Sequence, residues 1–151
     1  MASWNEILDR FGHMPSQYDL VRREYLKQLS DYTGRNTILY YSAWLQKSLM
    51  ANGTFDFGIN DNDKTGFMTC IYQLDKTKGL DLILHTPGGD ISATESLVVY
   101  LQSIFGKDIR VIIPQMAMSA GTMISCCAKE IIMGKHSNLG PIDPQYGMYR
   151  A

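Results

Sequence analysis

From Gly79 onward the hydrophobic positions fall into two rhythms. Short, nearly unbroken apolar runs at 80–85, 111–113 and 131–133 are separated by an amphipathic stretch at 93–105 and a stretch of small residues at 118–128. Runs of that length suit strands buried on both faces, and the longer stretches suit helices, so the pattern predicts β-α-β-α-β. Such alternation implies a parallel sheet with right-handed crossovers, in which reactive groups gather at the carboxyl ends of the strands. Two of those ends stand out: His85-Thr86-Pro87-Gly88-Gly89-Asp90 and Gln115-Met116-Ala117-Met118-Ser119-Ala120-Gly121-Thr122.

Upstream the pattern is looser. Ser16 followed by Asp19 reads as a capping box, and Tyr18, Val21, Tyr25, Leu29 and Tyr32 keep helical spacing until Gly34. The stretch 37–50 opens with aromatic and β-branched residues and then loses its period, while Phe55, Phe57 and Ile59 alternate like a short strand. Asp61 and Asp63 precede Phe67, Cys70, Ile71 and Leu74, and Lys76 and Lys78 come before Gly79. Acids at the start and bases at the end match a helix dipole. The chain thus divides into an N-terminal helical region, 1–36, and an α/β domain, 37–151, with no internal repeat.

Composition narrows the class. A chain of 151 residues with 45% hydrophobic and 19% charged residues builds one globular core, which excludes a disordered tail, a collagen or a coiled coil. Lys and Arg number 14 against 15 Asp and Glu, spread evenly, so no basic face for nucleic acid is expected. Cys70, Cys126 and Cys127 are too few for a disulfide framework and suggest a reducing, cytoplasmic compartment; the first residues carry no apolar run of a secretory signal. The uncharged run 111–128 is interrupted by Pro114, Gln115, Ser119, Gly121, Thr122 and Ser125, which favours a buried strand turning into a buried helix over a membrane span. Asp61-Asn62-Asp63-Lys64-Thr65-Gly66 opens like a calcium loop but has Tyr72 where the bidentate Glu belongs. His13, His85 and His136 lack ligand spacing and no phosphate-cradling glycine loop occurs, so neither metal nor cofactor is expected.

Ser119 lies where a strand ends and a helix of small residues begins. A serine at such a turn presents Oγ at the sheet edge, and the helix N-terminus offers unpaired N–H groups, the first being that of Ala120. A second donor must come from another strand end, and Gly88 and Gly89, lacking Cβ, let a backbone N–H approach a substrate closely. The plainer readings are a helix N-cap for Ser119 and a tight turn for Pro87-Gly88-Gly89. Their occurrence one βα unit apart favours a joint role. His85 would order the glycine turn through a hydrogen bond, and Asp90 would cap the next helix. Met116, Met118, Met123 and Met133 fill core volume or line an apolar pocket. The aromatics Trp4, Phe11, Tyr18, Tyr25, Tyr32, Tyr40, Tyr41 and Trp44 suit core packing or subunit contacts.

The segments Leu82-Ile83-Leu84-His85-Thr86-Pro87-Gly88-Gly89-Asp90, Ala117-Met118-Ser119-Ala120-Gly121-Thr122 and His136-Ser137-Asn138-Leu139-Gly140-Pro141-Ile142-Asp143-Pro144-Gln145 resemble the serine dehydrogenase proteinase family. That family belongs with the Clp proteolytic subunit and signal peptide peptidase A in the Clp/crotonase superfamily. The resemblance covers roughly 37–145. It implies a Clp/crotonase-like α/β fold of repeated βα units, a polypeptide substrate, a homo-oligomer, and a serine peptidase activity. Ser119 would be the nucleophile, Gly88, Gly89 and Ala120 the oxyanion-hole stretch with Gly89 and Ala120 as donors, and Gly140, Pro141 and Ile142 would lie along the bound peptide.

The general base does not carry over. The His of the Clp subunit falls where this chain has Ile142-Asp143-Pro144, and the Lys of signal peptide peptidases lies farther from the serine than the chain left after Ser119. His136 is the candidate within these residues, ahead of Lys135; Asp143 reads as a turn acid. Family members are longer, so the base would otherwise lie beyond Ala151. Three other readings compete: a catalytically inactive assembly or binding domain, a crotonase-type acyl-CoA enzyme, and an α/β-hydrolase.

Overall fold

The computed structural model describes residues 17–47 and 57–143. Helix α1, Gln17–Thr33, ends where Gly34 takes φ +68°, a conformation that suits glycine. Its apolar stripe is narrower than the spacing suggests: Val21 is buried, Tyr25 and Leu29 are half-buried, and Tyr32 is 89% exposed. Strand β1 covers Asn36–Tyr41 and the short helix α2 covers Trp44–Lys47. Ser16, Phe55 and residues 48–50 lie outside the described residues; Ile59 makes a single parallel bridge to Gly89.

Helix α3, Asp61–Ile71, begins with a complete capping box. Asn60 Oδ1 accepts the Asn62 N–H at 2.9 Å, and Asp63 Oδ2 accepts the Asn60 N–H at 2.8 Å. The helix stops before the lysines assigned to its last turn. Asp75 accepts the Thr77 N–H and hydroxyl at 3.0 and 2.6 Å, and this local bonding sets a separate 3₁₀ turn, Lys76–Lys78.

The remaining elements follow the expected rhythm. They are β2 (Leu80–His85), α4 (Ile91–Phe105), β3 (Ile109–Ile113), β4 (Met116–Ala117), α5 (Ala120–Cys126), β5 (Glu130–Met133) and β6 (Asn138–Leu139). Asp90 caps α4 as expected, accepting the Ala93 N–H at 2.7 Å. The main sheet has the order β1-β2-β3-β5 and is parallel throughout. The two-residue strands β4 and β6 form a small parallel pair of their own, which the hydrophobic pattern did not reveal. The run 111–128 is divided among β3, β4 and α5, and no described helix is long and apolar enough to cross a membrane.

The core lies on one face of the sheet. Leu80, Leu82, Leu84 and Val111 are fully buried against Phe67 and Ile71 of α3, Leu97 and Leu101 of α4, and Ile124 of α5. The opposite face carries Leu39, Ile83, Ile112 and Ile132 in register across all four strands, each partly exposed. Interior strands β2 and β3 are largely buried, while β5, with a neighbour on one side only, is exposed along its length.

At the amino end of the sheet an ion network crosses that second face. Asp81, fully buried in β2, receives Arg110 Nε and Nη2 at 2.8 and 2.6 Å and Arg35 Nε at 2.6 Å. Arg35 continues to Asp108 Oδ1 at 2.9 Å and to the Asp108 carbonyl at 2.8 Å. Burial pushes the Asp81 pKa up, but the hydrogen bonds from Arg110 and Arg35 outweigh it and hold the carboxyl below the usual range. Asn36 adds two bonds to the carbonyls of Asp75 and Gly79.

Candidate active site

Ser119 ends the connection from β4 to α5 with φ +47° and ψ −105°, one of two described non-glycine residues at positive φ. Such a backbone costs about 1–3 kcal/mol and persists only where neighbours hold it. Ser119 occupies the N-cap position of α5, as the plainer reading has it, but its side chain makes no capping bond to the helix. Oγ is left clear of the helix it precedes.

Thr86 builds the second half of the site, a role the sequence reading missed. Its N–H donates to the Met116 carbonyl at 3.3 Å and its carbonyl accepts the Met118 N–H at 3.0 Å, which ties the end of β2 to β4. Its hydroxyl oxygen accepts the Gly88 N–H at 3.2 Å and so bends the chain into the glycine turn. A Thr two residues before a glycine is a recognisable signal for that turn. His85 does not order the turn as expected: both ring nitrogens are buried without partners. Strand alternation explains why. Leu84 and Thr86 approach Gly121 of α5, so His85, between them, points to the opposite face, where its ring lies 5.0 Å from that of Tyr41.

Gly88 and Gly89 adopt φ +115° and +156°. A Cβ at Gly88 would lie 3.0 Å from Ser119 Cβ and 3.6 Å from the Ala120 nitrogen, so the glycine turn rests on the serine turn. Gly89 is held against Ile59: the Gly88 carbonyl accepts the Ile59 N–H and the Ile59 carbonyl accepts the Asp90 N–H, both at 2.8 Å. This clamp engages the groups on either side of Gly89. Among the described residues the N–H groups of Gly89 and Ala120 donate to no acceptor. One of these donors opens the helix that follows Ser119 and the other lies in the glycine turn that rests on it; donors of this kind can stabilise negative charge on a reacting oxygen.

The third segment also arrives. Gly140 packs against Met118, its N–H donates to the Ala117 carbonyl at 3.0 Å, and its carbonyl accepts the Thr122 hydroxyl at 2.7 Å. Pro141 and Ile142 continue from it and are exposed.

Comparison with known proteins gives the frame for these segments. The family model for ClpP-like SDH-type serine proteinases matches residues 12–151. The chain belongs to this family. Two relatives come from Methanocaldococcus jannaschii. The uncharacterized protein MJ0137 is 36% identical over 137 residues, 89% of this chain and 46% of that protein. The uncharacterized protein MJ1495 is 49% identical over 72 residues, 48% of this chain and 24% of that protein. The chain therefore spans less than half the length of these curated relatives.

His136 and Lys135 are exposed in the turn after β5, and Asp143 is exposed past β6. No described side chain hydrogen-bonds Ser119 Oγ. Met118 and Met123 are half-buried beside the site, whereas Met133 is exposed on β5. Cys126 and Cys127 close α5 and are exposed; burial, then the neighbouring Cys126, pushes the Cys127 thiol up.

Proposed function

We propose that the Ser119 site hydrolyses peptide bonds through an acyl-enzyme. Ser119 Oγ attacks the carbonyl carbon, the carbonyl oxygen becomes an oxyanion between the Gly89 and Ala120 N–H groups, and the amine leaves with the proton taken from Oγ. Water then attacks the ester carbonyl and releases Ser119. The observation that carries this reading is a strained serine turn with a glycine turn resting on it, whose Ala120 and Gly89 N–H groups meet no acceptor among the described residues. Gly88, whose N–H is already engaged by Thr86, shapes the turn and leaves room for Ser119. A bound peptide would run along Gly140, Pro141 and Ile142. Because the Gly140 N–H is engaged and Pro141 has none, the Ile142 N–H is the donor left for it. A cytoplasmic homo-oligomer is the setting this reading adopts, supported by three free cysteines and by family resemblance.

The proton acceptor is His136 or a group beyond Ala151. The absence of any described side-chain bond to Ser119 Oγ favours one rival, a binding or assembly domain without catalysis. Intact-mass labelling with a fluorophosphonate separates the two, because only an activated serine reacts quickly. Rapid labelling that disappears in Ser119→Ala supports the peptidase; its loss in His136→Ala assigns the base, and its persistence moves the base elsewhere. Absence of Ser119-dependent labelling in both this chain and a longer form overturns the mechanism.

A further inference from the structure

Strand β1 has a described neighbour, β2, on one side only. The Asn36 and Ser42 N–H groups donate to the carbonyls of Gly79 and His85 at 3.3 and 3.2 Å. By strand alternation, residues 36, 38, 40 and 42 direct their backbone groups to β2, and Thr37, Leu39 and Tyr41 direct theirs outward. Among the described residues nothing pairs with those outward groups, and the Thr37 hydroxyl is buried without a partner.

This free edge borders a groove. Thr37, Leu39 and Tyr41 line a cavity of about 480 Å³ that α1 closes with Arg22 and Arg23. A second cavity, about 270 Å³, continues along Ile38 and Tyr40 to Phe67 and Asp63 of α3, the Asp63 carboxylate being engaged by the Asn60 N–H of the helix cap, and Cys70 borders both. Proteins usually guard an exposed edge with Lys, Pro or a bulge, yet the strand reads Asn-Thr-Ile-Leu-Tyr-Tyr. Arg22 is paired with Asp19 at 2.7 Å, whereas Arg23 meets no carboxylate among the described residues. The rim of the groove beside α1 keeps one positive charge uncompensated.

We propose that this groove docks an extended, acidic segment of a polypeptide substrate as an added strand on β1, apart from the cleft at Ser119. The choice of ligand rests on the peptidase reading above. The outward N–H and C=O groups of Thr37, Leu39 and Tyr41 bind main chain without regard to sequence, the apolar walls take alternate side chains, and Arg23 selects a carboxylate.

The test uses Ser119→Ala protein and fluorescent peptides of matched length, acidic or basic and rich in β-branched residues. Binding is read by anisotropy, and Cys70 alkylation by iodoacetamide is mapped by mass spectrometry. The acidic peptide should bind, slow Cys70 alkylation at least threefold, and weaken with salt. Leu39→Pro removes an outward N–H without touching the β2 ladder and should weaken binding about tenfold. Arg23→Glu, an exposed change that leaves the strand intact, should abolish the preference for acid over base. Binding indifferent to both variants, or without protection of Cys70, overturns the proposal. Edge pairing between two copies of the chain, seen as self-association lost in Leu39→Pro, overturns it also. Fluorophosphonate labelling of the Ser119 form runs alongside: labelling without docking removes this inference alone, and docking without labelling removes the peptidase reading and, with it, the assignment of the docked peptide as a substrate.

Discussion

The two ends of one parallel sheet are built on opposite rules. At the amino end the charged groups of one network are all paired, although the Thr37 hydroxyl beside them is buried without a partner: Asp81 takes three bonds from Arg35 and Arg110, Arg35 reaches Asp108, and Asn36 bonds two carbonyls. At the carboxyl end Ser119 sits at positive φ and, among the described residues, two N–H groups lack acceptors and His85, Ser42 and Trp44 keep buried polar atoms without partners. Satisfied charge holds the fold, and unsatisfied donors and strained backbone are what a reaction uses. Changes at the amino end should therefore alter stability with little effect on Ser119 reactivity, and changes at the carboxyl end the reverse.

The largest effect is expected from Asp81→Ala. It leaves Arg110 and Arg35 facing a buried gap, and breaking a buried ion network from one side costs about 3–5 kcal/mol. Urea unfolding monitored by circular dichroism reads the loss directly. The labelling rate of Ser119 per folded molecule should change less than twofold; a drop comparable to the stability loss would erase the division between the two ends.

Acid gives the same contrast without mutation. The folded pKa of Asp81 lies below the usual carboxylate range, so its contribution to stability is present above that range and is lost as pH falls through the lower, folded value. The melting temperature should decline steeply in that window, and Asp81→Asn should flatten the decline. An unchanged acid limb in Asp81→Asn would mean that other carboxylates set it.

Ser119→Gly runs the other way. Glycine adopts positive φ without strain, so this variant should be more stable than wild type by about 1 kcal/mol while losing all fluorophosphonate labelling. Comparison with Ser119→Ala, which keeps the strain and loses the hydroxyl, separates backbone from side chain. Equal melting temperatures for the two would show that the turn carries no strain.

How far this division was legible depended on the range of the interactions. The βα rhythm after Gly79 rests on local periodicity, so β2 appeared at its true bounds and Asp90 at its cap. Ser119 and the two glycines were legible because a serine before small residues and a glycine pair each limit the backbone locally. The role of Thr86 was not legible in the same way: its turn is also local, but the adjoining His85 offers an equally plausible hydrogen-bonding side chain in the sequence, and only the strand's facing decides between them. The Asp81 network joins Arg35, Asp81, Asp108 and Arg110 across three parts of the chain, and an acid inside an apolar run was its only trace. The clamp of Ile59 on Gly89 and the pairing of β4 with β6 are likewise long-range and too short to leave a period.

His85 offers the smallest and sharpest test, because sequence position and structure disagree about it. It adjoins the Thr86 turn in the chain, yet its ring lies on the face of the sheet away from α5 and touches Tyr41. His85→Phe keeps a ring of similar size against Tyr41 and removes two buried nitrogens that lack partners. Replacing an unsatisfied buried polar group by an apolar one of similar shape is neutral or favourable, so a gain of about 0.5–1 kcal/mol is expected. Labelling at Ser119 should stay within twofold, since the sheet separates the two side chains. A tenfold fall in labelling with the fold intact would make His85 a positioning residue acting through Thr86. A loss of stability would show that its nitrogens are satisfied by ordered water, and the carboxyl end would then hold less unmet polarity than Ser42, Trp44 and His85 together indicate.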